Sequence, residues 1–286
     1  MIHEPGIYEG MSEEEYFADD SFSKSQVTAC LKSGKHLVSY KQNGISGKAL
    51  ETGKLVDTLL LTPEEYTTRF IMAPETYENT KGEIKPWDYR SPVCQEWKAR
   101  ASSSGRVVIT YEDKHNADRI CESVKSYKTA CELLDGVSQV SMFWVDAETG
   151  VPCKGRLDIL RPGTAITDLK TSSRDVDLKS FQKDMYNFKY HVQAFAYTEG
   201  YEILTGEKVG FDFVAVETAE PFGVGCYSIR EDSLLLGEME WRKALRRYAE
   251  YLEKGFDGYP DVLQLIDVPA WALKPIFDGD PDDLIL

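Results

Sequence analysis

The sequence predicts a mixed α/β fold: a central mixed sheet flanked by helices and preceded by a mainly helical N-terminal part. Three observations predict it. Strand-like runs over residues 137–145, 151–160 and 164–169 follow one another directly, and Glu148-Thr149-Gly150 between the first two is a hairpin signal. A helical stretch over 188–204 is then followed by two more strands, 209–216 and 223–229. Finally, an amphipathic helix over 231–252 supplies an apolar face to cover the sheet. Strands and helices in this order pack as a sheet between helical layers. One domain is expected over residues 1–286, with a helical part at 1–134, the sheet and its helices at 135–256 and an acidic tail at 257–286.

In the helical part, Ser23 is placed to cap a helix carrying Val27, Cys30 and Leu31, because a serine oxygen can accept from the unsatisfied N–H groups of a first turn. A second helix begins near Gly47 and runs through Leu50, Leu55, Val56 and Leu59. Pro63 opens a short helical turn at Glu64-Glu65-Tyr66, its fixed φ suiting a first helical position. Residues 74–92, with Pro74, Gly82, Pro86 and Pro92, are expected to form a long surface loop. Helical patterning resumes over 92–134, interrupted at Ser102-Ser103-Ser104-Gly105. No internal repeat is present.

Composition narrows the function. A formal charge of −15 argues against binding nucleic acid over the whole surface, since duplex affinity comes largely from Lys and Arg neutralising phosphates. It leaves room for a local basic groove, and basic residues do concentrate between Lys24 and Lys54, while Ser12-Glu13-Glu14-Glu15 and Asp278-Gly279-Asp280-Pro281-Asp282-Asp283 carry much of the acid. The six cysteines are scattered with no C-x-x-C pair, which disfavours a zinc ribbon, a dense disulfide framework and an iron–sulfur cluster. No apolar run is long enough for a membrane span, and Met1-Ile2-His3-Glu4-Pro5 has no signal-peptide pattern, so a cytoplasmic protein without membrane contact is expected.

The chemistry-bearing stretch is Lys154-Gly155-Arg156-Leu157-Asp158 followed, across a turn, by Ile166-Thr167-Asp168-Leu169-Lys170. Strand alternation sends Asp168 and Lys170 to one face and Leu169 into the core. Two carboxylates at the ends of adjacent strands can hold Mg²⁺ or Mn²⁺, which take oxygen ligands, with the lysine orienting or helping to deprotonate a water beside the metal. A surface hairpin with solvated charges is the plain alternative. Against it stands the cost of an aspartate at the end of an apolar strand with nothing to neutralise it. In the next helix Gln193 and Tyr197 stand four residues apart and share a face. Tyr190, Phe195 and Tyr197 also suit a core, and His191 suits a satisfied histidine better than a metal ligand.

The succession D-x(9)-D-x-K and then Q-x-x-x-Y resembles the PD-(D/E)XK nuclease superfamily in its RecB-like branch, and more closely the phage and prophage exonucleases of the RecE type (exonuclease VIII). Phe22-Ser23-Lys24-Ser25-Gln26-Val27 is similar to the early S-x-S helix start of those exonucleases. Gly53-Lys54-Leu55-Val56-Asp57, with the apolar run after it and Pro63-Glu64-Glu65-Tyr66, resembles their G-x-x-x-H and P-E-E-aromatic segments. The likeness runs in family order over about residues 7–255, with one departure: Asp57 stands where the family has a metal-binding histidine. An aspartate also offers oxygen to a hard cation.

Carried onto this chain, the resemblance implies that Asp158 and Asp168 ligate the metal together with the Leu169 carbonyl, and Asp57 in place of the histidine. Lys170 would contact the nucleophile or scissile phosphate, Gln193 and Tyr197 would support the lysine and the DNA backbone, and Lys24 and Ser25 would hold a phosphate near the duplex end. It further implies a Mg²⁺-dependent exodeoxyribonuclease, with Mn²⁺ able to substitute, degrading double-stranded DNA from its ends 5′ to 3′ to leave single-stranded overhangs for phage-type recombination. A homo-oligomer and a single-strand annealing protein as partner are likewise implied. The alternatives are a structure-specific endonuclease or junction resolvase on the same core, and a non-catalytic acidic DNA mimic, which would need a broad acidic surface but no D-x-K hairpin.

Overall fold

The computed structural model describes residues 3–44 and 46–269; the acidic run Asp278-Gly279-Asp280-Pro281-Asp282-Asp283 of the expected tail lies outside the described residues. At the N-terminus, strand β1 (Gly6–Tyr8) and helix α1 (Glu13–Ala18), capped by Ser12, lead to a two-residue strand β2 (Phe22–Ser23). Ser23 stands at the start of the next helical segment, as expected, but its side chain caps nothing. The segment opens as a 3₁₀ turn, Lys24–Gln26, before α2 (Val27–Lys32), and Ser23 Oγ pairs instead with Ser25 Oγ at 2.9 Å. Helix α3 (Gly34–Asn43) is not among the predicted elements, and it buries only Gly34 and Leu37, too few apolar positions to mark a period. Helix α4 (Lys48–Leu61) starts after Gly47, as predicted, and buries Leu55, Val56, Thr58 and Leu61; Pro63–Glu65 then forms a 3₁₀ turn that runs into α5 (Tyr66–Arg69).

Strand β3 (Phe70–Met72) is followed by a correction to the expected loop. Within residues 74–92, β4 (Thr76–Glu78) and β5 (Ile84–Pro86) pair antiparallel about a turn in which Asn79 Oδ1 accepts from the Lys81 and Glu83 N–H groups. The hairpin is largely exposed, so it carries no alternating apolar signal, and its register comes from the Asn79 turn. Helix α6 (Pro92–Ser102) precedes β6 (Val107–Ile109), which pairs with β3 as a separate parallel ladder. Helix α7 (Tyr111–Ser126), started by a Thr110/Asp113 capping box, and α8 (Lys128–Leu133) complete this part.

The second half comprises β7 (Val137–Val145), β8 (Pro152–Arg161), β9 (Ala165–Ser172), α9 (Leu178–Asn187), α10 (Tyr190–Thr205), β10 (Gly210–Glu217), β11 (Val224–Ser228) and α11 (Glu231–Lys254). A seven-stranded mixed sheet runs β1-β7-β8-β9-β10-β11, with β2 added alongside β8. The β9–β10 pair is parallel, which requires the crossover that α9 and α10 supply. One face packs Trp144, Phe211 and Phe213 with Val192 of α10 and Trp241 and Leu245 of α11; the other packs Leu169, Val214 and Val216 against Leu55 of α4 and Ile120 of α7. Two glycines set the distance between α10 and the sheet. A Cβ at Gly200 would lie 2.9 Å from the Trp144 indole, and one at Gly155 would lie 2.7 Å from Tyr197 Cε1. Among the described residues no helix is long and apolar enough to cross a membrane.

Candidate active site

The site begins where two strands part. The β8–β9 ladder contains only Arg161↔Ala165, Leu160↔Ile166 and Ile159↔Thr167, and farther along β8 takes β2 as its neighbour, with Phe22 opposite Cys153. The next pair in the β8–β9 register would be Asp158 and Asp168. There the backbone bond is replaced by a side chain: the Leu169 N–H donates to Asp158 Oδ2 at 2.8 Å. The phase of β8 slips at the same point. Leu157 and Leu160 both pack into the core beneath α10, whereas Ile159 packs into the opposite core, and Gln139, which faces Asp158 across β7, takes φ +53°. Simple alternation would have sent Asp158 into one of the two cores. The slip leaves its carboxylate at the fork.

Asp168 projects from the α10 side of β9, as the alternation predicted, and is 3% exposed. Gln193 Nε2 donates to its Oδ1 at 2.5 Å, Lys170 Nζ lies 2.5 Å from its Oδ2, and the same Nζ donates to Gln193 Oε1 at 3.2 Å. Glutamine thus bridges the two members of D-x-K, offering a donor to the acid and an acceptor to the lysine. Lys170 Nζ also sits 4.6 Å above the Tyr190 ring. Burial is the largest influence on Lys170 and would lower its proton affinity, but Asp168, Tyr190 and Asp158 together hold its pKa above the ordinary lysine value. It is therefore an ammonium at neutral pH.

Asp57, half-buried on α4, joins the acids from the other side. Helix α4 approaches β9 closely, since a Cβ at Gly53 would lie 3.2 Å from Thr171 Oγ1. Burial, then the Asp158 charge, pushes the Asp57 carboxyl well above the usual range, with Lys170 opposing. Burial and then Asp168 push Asp158 up to about 7, against the pull of Lys170 and the Leu169 N–H. Carboxylates crowded in this way raise one another's proton affinity because like charges resist joint ionisation. Yet among the described residues no three His, Cys, Asp or Glu side chains stand in a ready metal-holding arrangement. Asp57, Asp158 and Asp168 thus share one electrostatic neighbourhood without a preformed cage among the described residues.

The structure places the remaining expected residues as follows. Tyr197 makes no hydrogen bond to Lys170 among the described residues. Its ring lies on Gly155, in the core with Phe211, where it sets the spacing between α10 and β8. Lys24 is half-buried; it donates to the Phe188 carbonyl at 2.9 Å and lies 5.3 Å from the centroid of the Tyr190 ring that Lys170 also faces. Burial and then the Lys170 charge lower its pKa to about 7. Ser25 is exposed on the 3₁₀ turn. Tyr190, which the sequence suited to the core, is the site residue that sequence reasoning missed, and no spacing signal separates it from a packing aromatic. Lys154 belongs to the scaffold: it is buried and donates to the Tyr16 and Asp19 carbonyls at 2.7 and 2.5 Å, tying α1 to β8.

No curated protein matches the sequence. A crystal structure of a protein described as a "putative exonuclease", from Eubacterium rectale, superposes with a TM-score of 0.59 at 16% identity, covering 93% of this chain and 98% of that one; at such identity the likeness is one of fold. The model of the family described as "PDDEXK-like domain of unknown function (DUF3799)" matches residues 23–258, which include the fork, the D-x-K strand and the glutamine helix. The chain therefore belongs to that PDDEXK-like family, within the PD-(D/E)XK nuclease superfamily.

Proposed function

We propose that this protein is a divalent-metal-dependent exodeoxyribonuclease that hydrolyses double-stranded DNA from its ends in the 5′ to 3′ direction. The observation that carries the reading is the fork at Asp158 and Asp168, with an obligate ammonium, Lys170, held beside it by Gln193. The donor set suits a hard cation. It consists of carboxylate oxygens, and Asp168 is buried with Lys170 alone against its Oδ2 among the described residues. Burial and then mutual repulsion raise the proton affinity of Asp57 and Asp158, a cost that a bound cation relieves. Asp158, Asp168 and the Leu169 carbonyl would hold Mg²⁺ or Mn²⁺, with Asp57 next to them. When bound, the metal supplies Lewis-acid polarisation of the phosphate and a lowered pKa for water.

The protein's own part is to place charge. Lys170, protonated and pinned by Asp168 and Gln193, is aimed at negative charge building on a phosphoryl oxygen, and a preformed ammonium in a dry site needs no reorganisation at that moment. Its raised proton affinity makes it an electrostatic stabiliser and a poor general base. Lys24, which faces the same Tyr190 ring, extends the positive edge along the path of the strand, beside Ser25. A DNA mimic would spread its carboxylates over an open surface, whereas these acids are gathered at the strand fork against a lysine. The deciding experiment compares end-labelled linear duplex with closed circular duplex in Mg²⁺. Linear DNA is expected to shorten from its 5′ ends while the circle survives, and Asp168→Ala abolishes cutting. Cleavage of the circle would establish an endonuclease instead.

A further inference from the structure

A cluster of basic side chains gathers around Glu13. Glu13, in the first turn of α1, reaches across to two basic side chains from different elements: its Oε1 lies 3.0 Å from Lys54 Nζ on α4, and its Oε2 pairs with Arg69 at the end of α5. Arg69 also contacts Glu65 Oε2 at 3.2 Å. The Arg156 guanidinium on β8 lies 5.9 Å from the centroid of the Tyr16 ring on α1, the helix that carries Glu13, and its charge bears on Arg69. It donates Nε to Gln139 at 2.9 Å and Nη1 to the Met11 carbonyl and Ser141 Oγ at 3.0 and 3.1 Å, leaving Nη2 with no hydrogen-bond partner among the described residues.

The placement of these cations follows from chain geometry. Lys54 precedes Asp57 by three residues, one helical turn on the same face of α4, about 5–6 Å away. Arg156 precedes Asp158 by two residues on β8, about 6.7 Å. Lys54 and Arg156 therefore each lie on the scale of a nucleotide step from an acid of the fork, and Arg69 joins them through Glu13. Two guanidinium forks and an ammonium have the chemistry that recognises a phosphate, and a carboxylate is the protein group that best imitates one. Held only by its own side chain, the Glu13 carboxylate can leave by rotating about its side-chain bonds while α1 stays in place.

We propose that Lys54, Arg69 and Arg156 form a subsite for a DNA backbone phosphate next to the scissile position, and that Glu13 fills this subsite until DNA displaces it. The inference rests on the nuclease reading for the identity of the ligand, but its test does not require cleavage. Binding of a fluorescent duplex is measured by anisotropy in EDTA for the parent, Glu13→Gln, Arg69→Gln and the double variant. Glu13→Gln is expected to bind about two- to five-fold tighter, the scale of the exposed ion pair it removes from competition. It should also steepen the salt dependence by about 0.9 in the log–log slope, one added phosphate contact. Arg69→Gln weakens binding and cancels the gain in the double variant. Unchanged or weaker binding by Glu13→Gln, or a gain that persists without Arg69, overturns the subsite and leaves Glu13 as a tether for α1.

Melting curves in inorganic phosphate give a second measure: phosphate should raise the Tm of Glu13→Gln more than that of the parent, and equal shifts count against the proposal. Cleavage in Mg²⁺ is scored separately. A parent that binds as described but never cuts refutes the nuclease reading alone, and a parent that cuts while Glu13→Gln binds no better refutes the subsite alone.

Discussion

Replacing Lys170 by Met tests the centre of the mechanism with two independent readouts. The side chain keeps its length and apolar stem but loses the ammonium that lies 2.5 Å from Asp168 Oδ2 and 3.2 Å from Gln193 Oε1. Asp168 is 3% exposed, so the substitution strands a buried carboxylate, and removing one partner of a buried pair costs roughly 3–5 kcal/mol. The lower end applies here, about 3 kcal/mol, because the Gln193 Nε2 bond survives. The lost charge also gives the effect a pH signature. In the parent, the folded-state pKa of Lys170 lies above its ordinary value of 10.5, so its contribution is fully present below 10.5 and is lost only as pH rises past the folded value; between pH 5.5 and 8 it is constant. In the variant, the pull that opposes the rise of Asp57 and Asp158 is gone, so the folded state holds protons that the unfolded state releases, and stability improves as pH falls. Urea unfolding should therefore show a parent–variant gap of about 3 kcal/mol at pH 8 that narrows at pH 5.5. Cleavage in Mg²⁺ should fall about 100- to 1,000-fold, the loss expected for one preorganised electrostatic donor. A variant that cuts within three-fold of the parent refutes the assigned role of Lys170, and a gap that widens on acidification refutes the picture of a carboxylate stranded beside it.

Much of this was legible in the sequence, because apolar periodicity is strong where the sheet is. The strands at 137–145, 151–160 and 164–169 differ from β7, β8 and β9 by at most three residues at any end. The D-x-K alternation correctly put Asp168 and Lys170 on one face and Leu169 in the other core. Elements held by tertiary contacts were not legible: β1, β2 and β6 are two or three residues long and exist because a neighbouring strand accepts them, and the β4–β5 hairpin is too polar to show a period. Helix α9 escaped for another reason, since it buries only Phe181 and Asp184, the latter paired with Arg174. At the site, the feature hardest to foresee is the phase slip at Asp158. Regular alternation is the only rule that sequence offers for a strand, and here the carboxylate reaches the fork by breaking it. Tyr190 illustrates a related limit: an aromatic beneath two lysines and an aromatic in a core have the same local sequence.

Three further outcomes are expected. Because Asp158 titrates at about 7 in the metal-free protein, Mn²⁺ must displace a proton below that pH, so calorimetric affinity should weaken about tenfold per pH unit for each proton released as pH falls from 7; a flat response between pH 5.5 and 7 would contradict the crowding of the acids. Lys24, with its pKa lowered to about 7, is cationic below that value and largely neutral above it, so a 5′-phosphorylated duplex should be favoured over its 5′-hydroxyl counterpart more strongly at pH 6.5 than at pH 8.5, and Lys24→Met should abolish the pH dependence of that preference. Asp57 decides how far the departure from the family histidine has been accommodated. It feels Asp158, Asp168 and Lys170, yet it does not complete a three-acid cage in the described structure, so it can act on the metal only if the cation draws α4 and the fork together. If it does, Asp57→Ala raises the Mg²⁺ concentration needed for half-maximal cleavage, and Asp57→His restores activity with Mn²⁺ more than with Mg²⁺, because imidazole suits the softer ion. If Asp57 contributes only repulsion, Asp57→Ala removes a charge that raises the cost of ionising Asp158, and metal binding weakens less steeply with falling pH while the metal requirement stays unchanged or drops. The sign of the shift in the Mg²⁺ requirement therefore separates a ligand from a crowding neighbour.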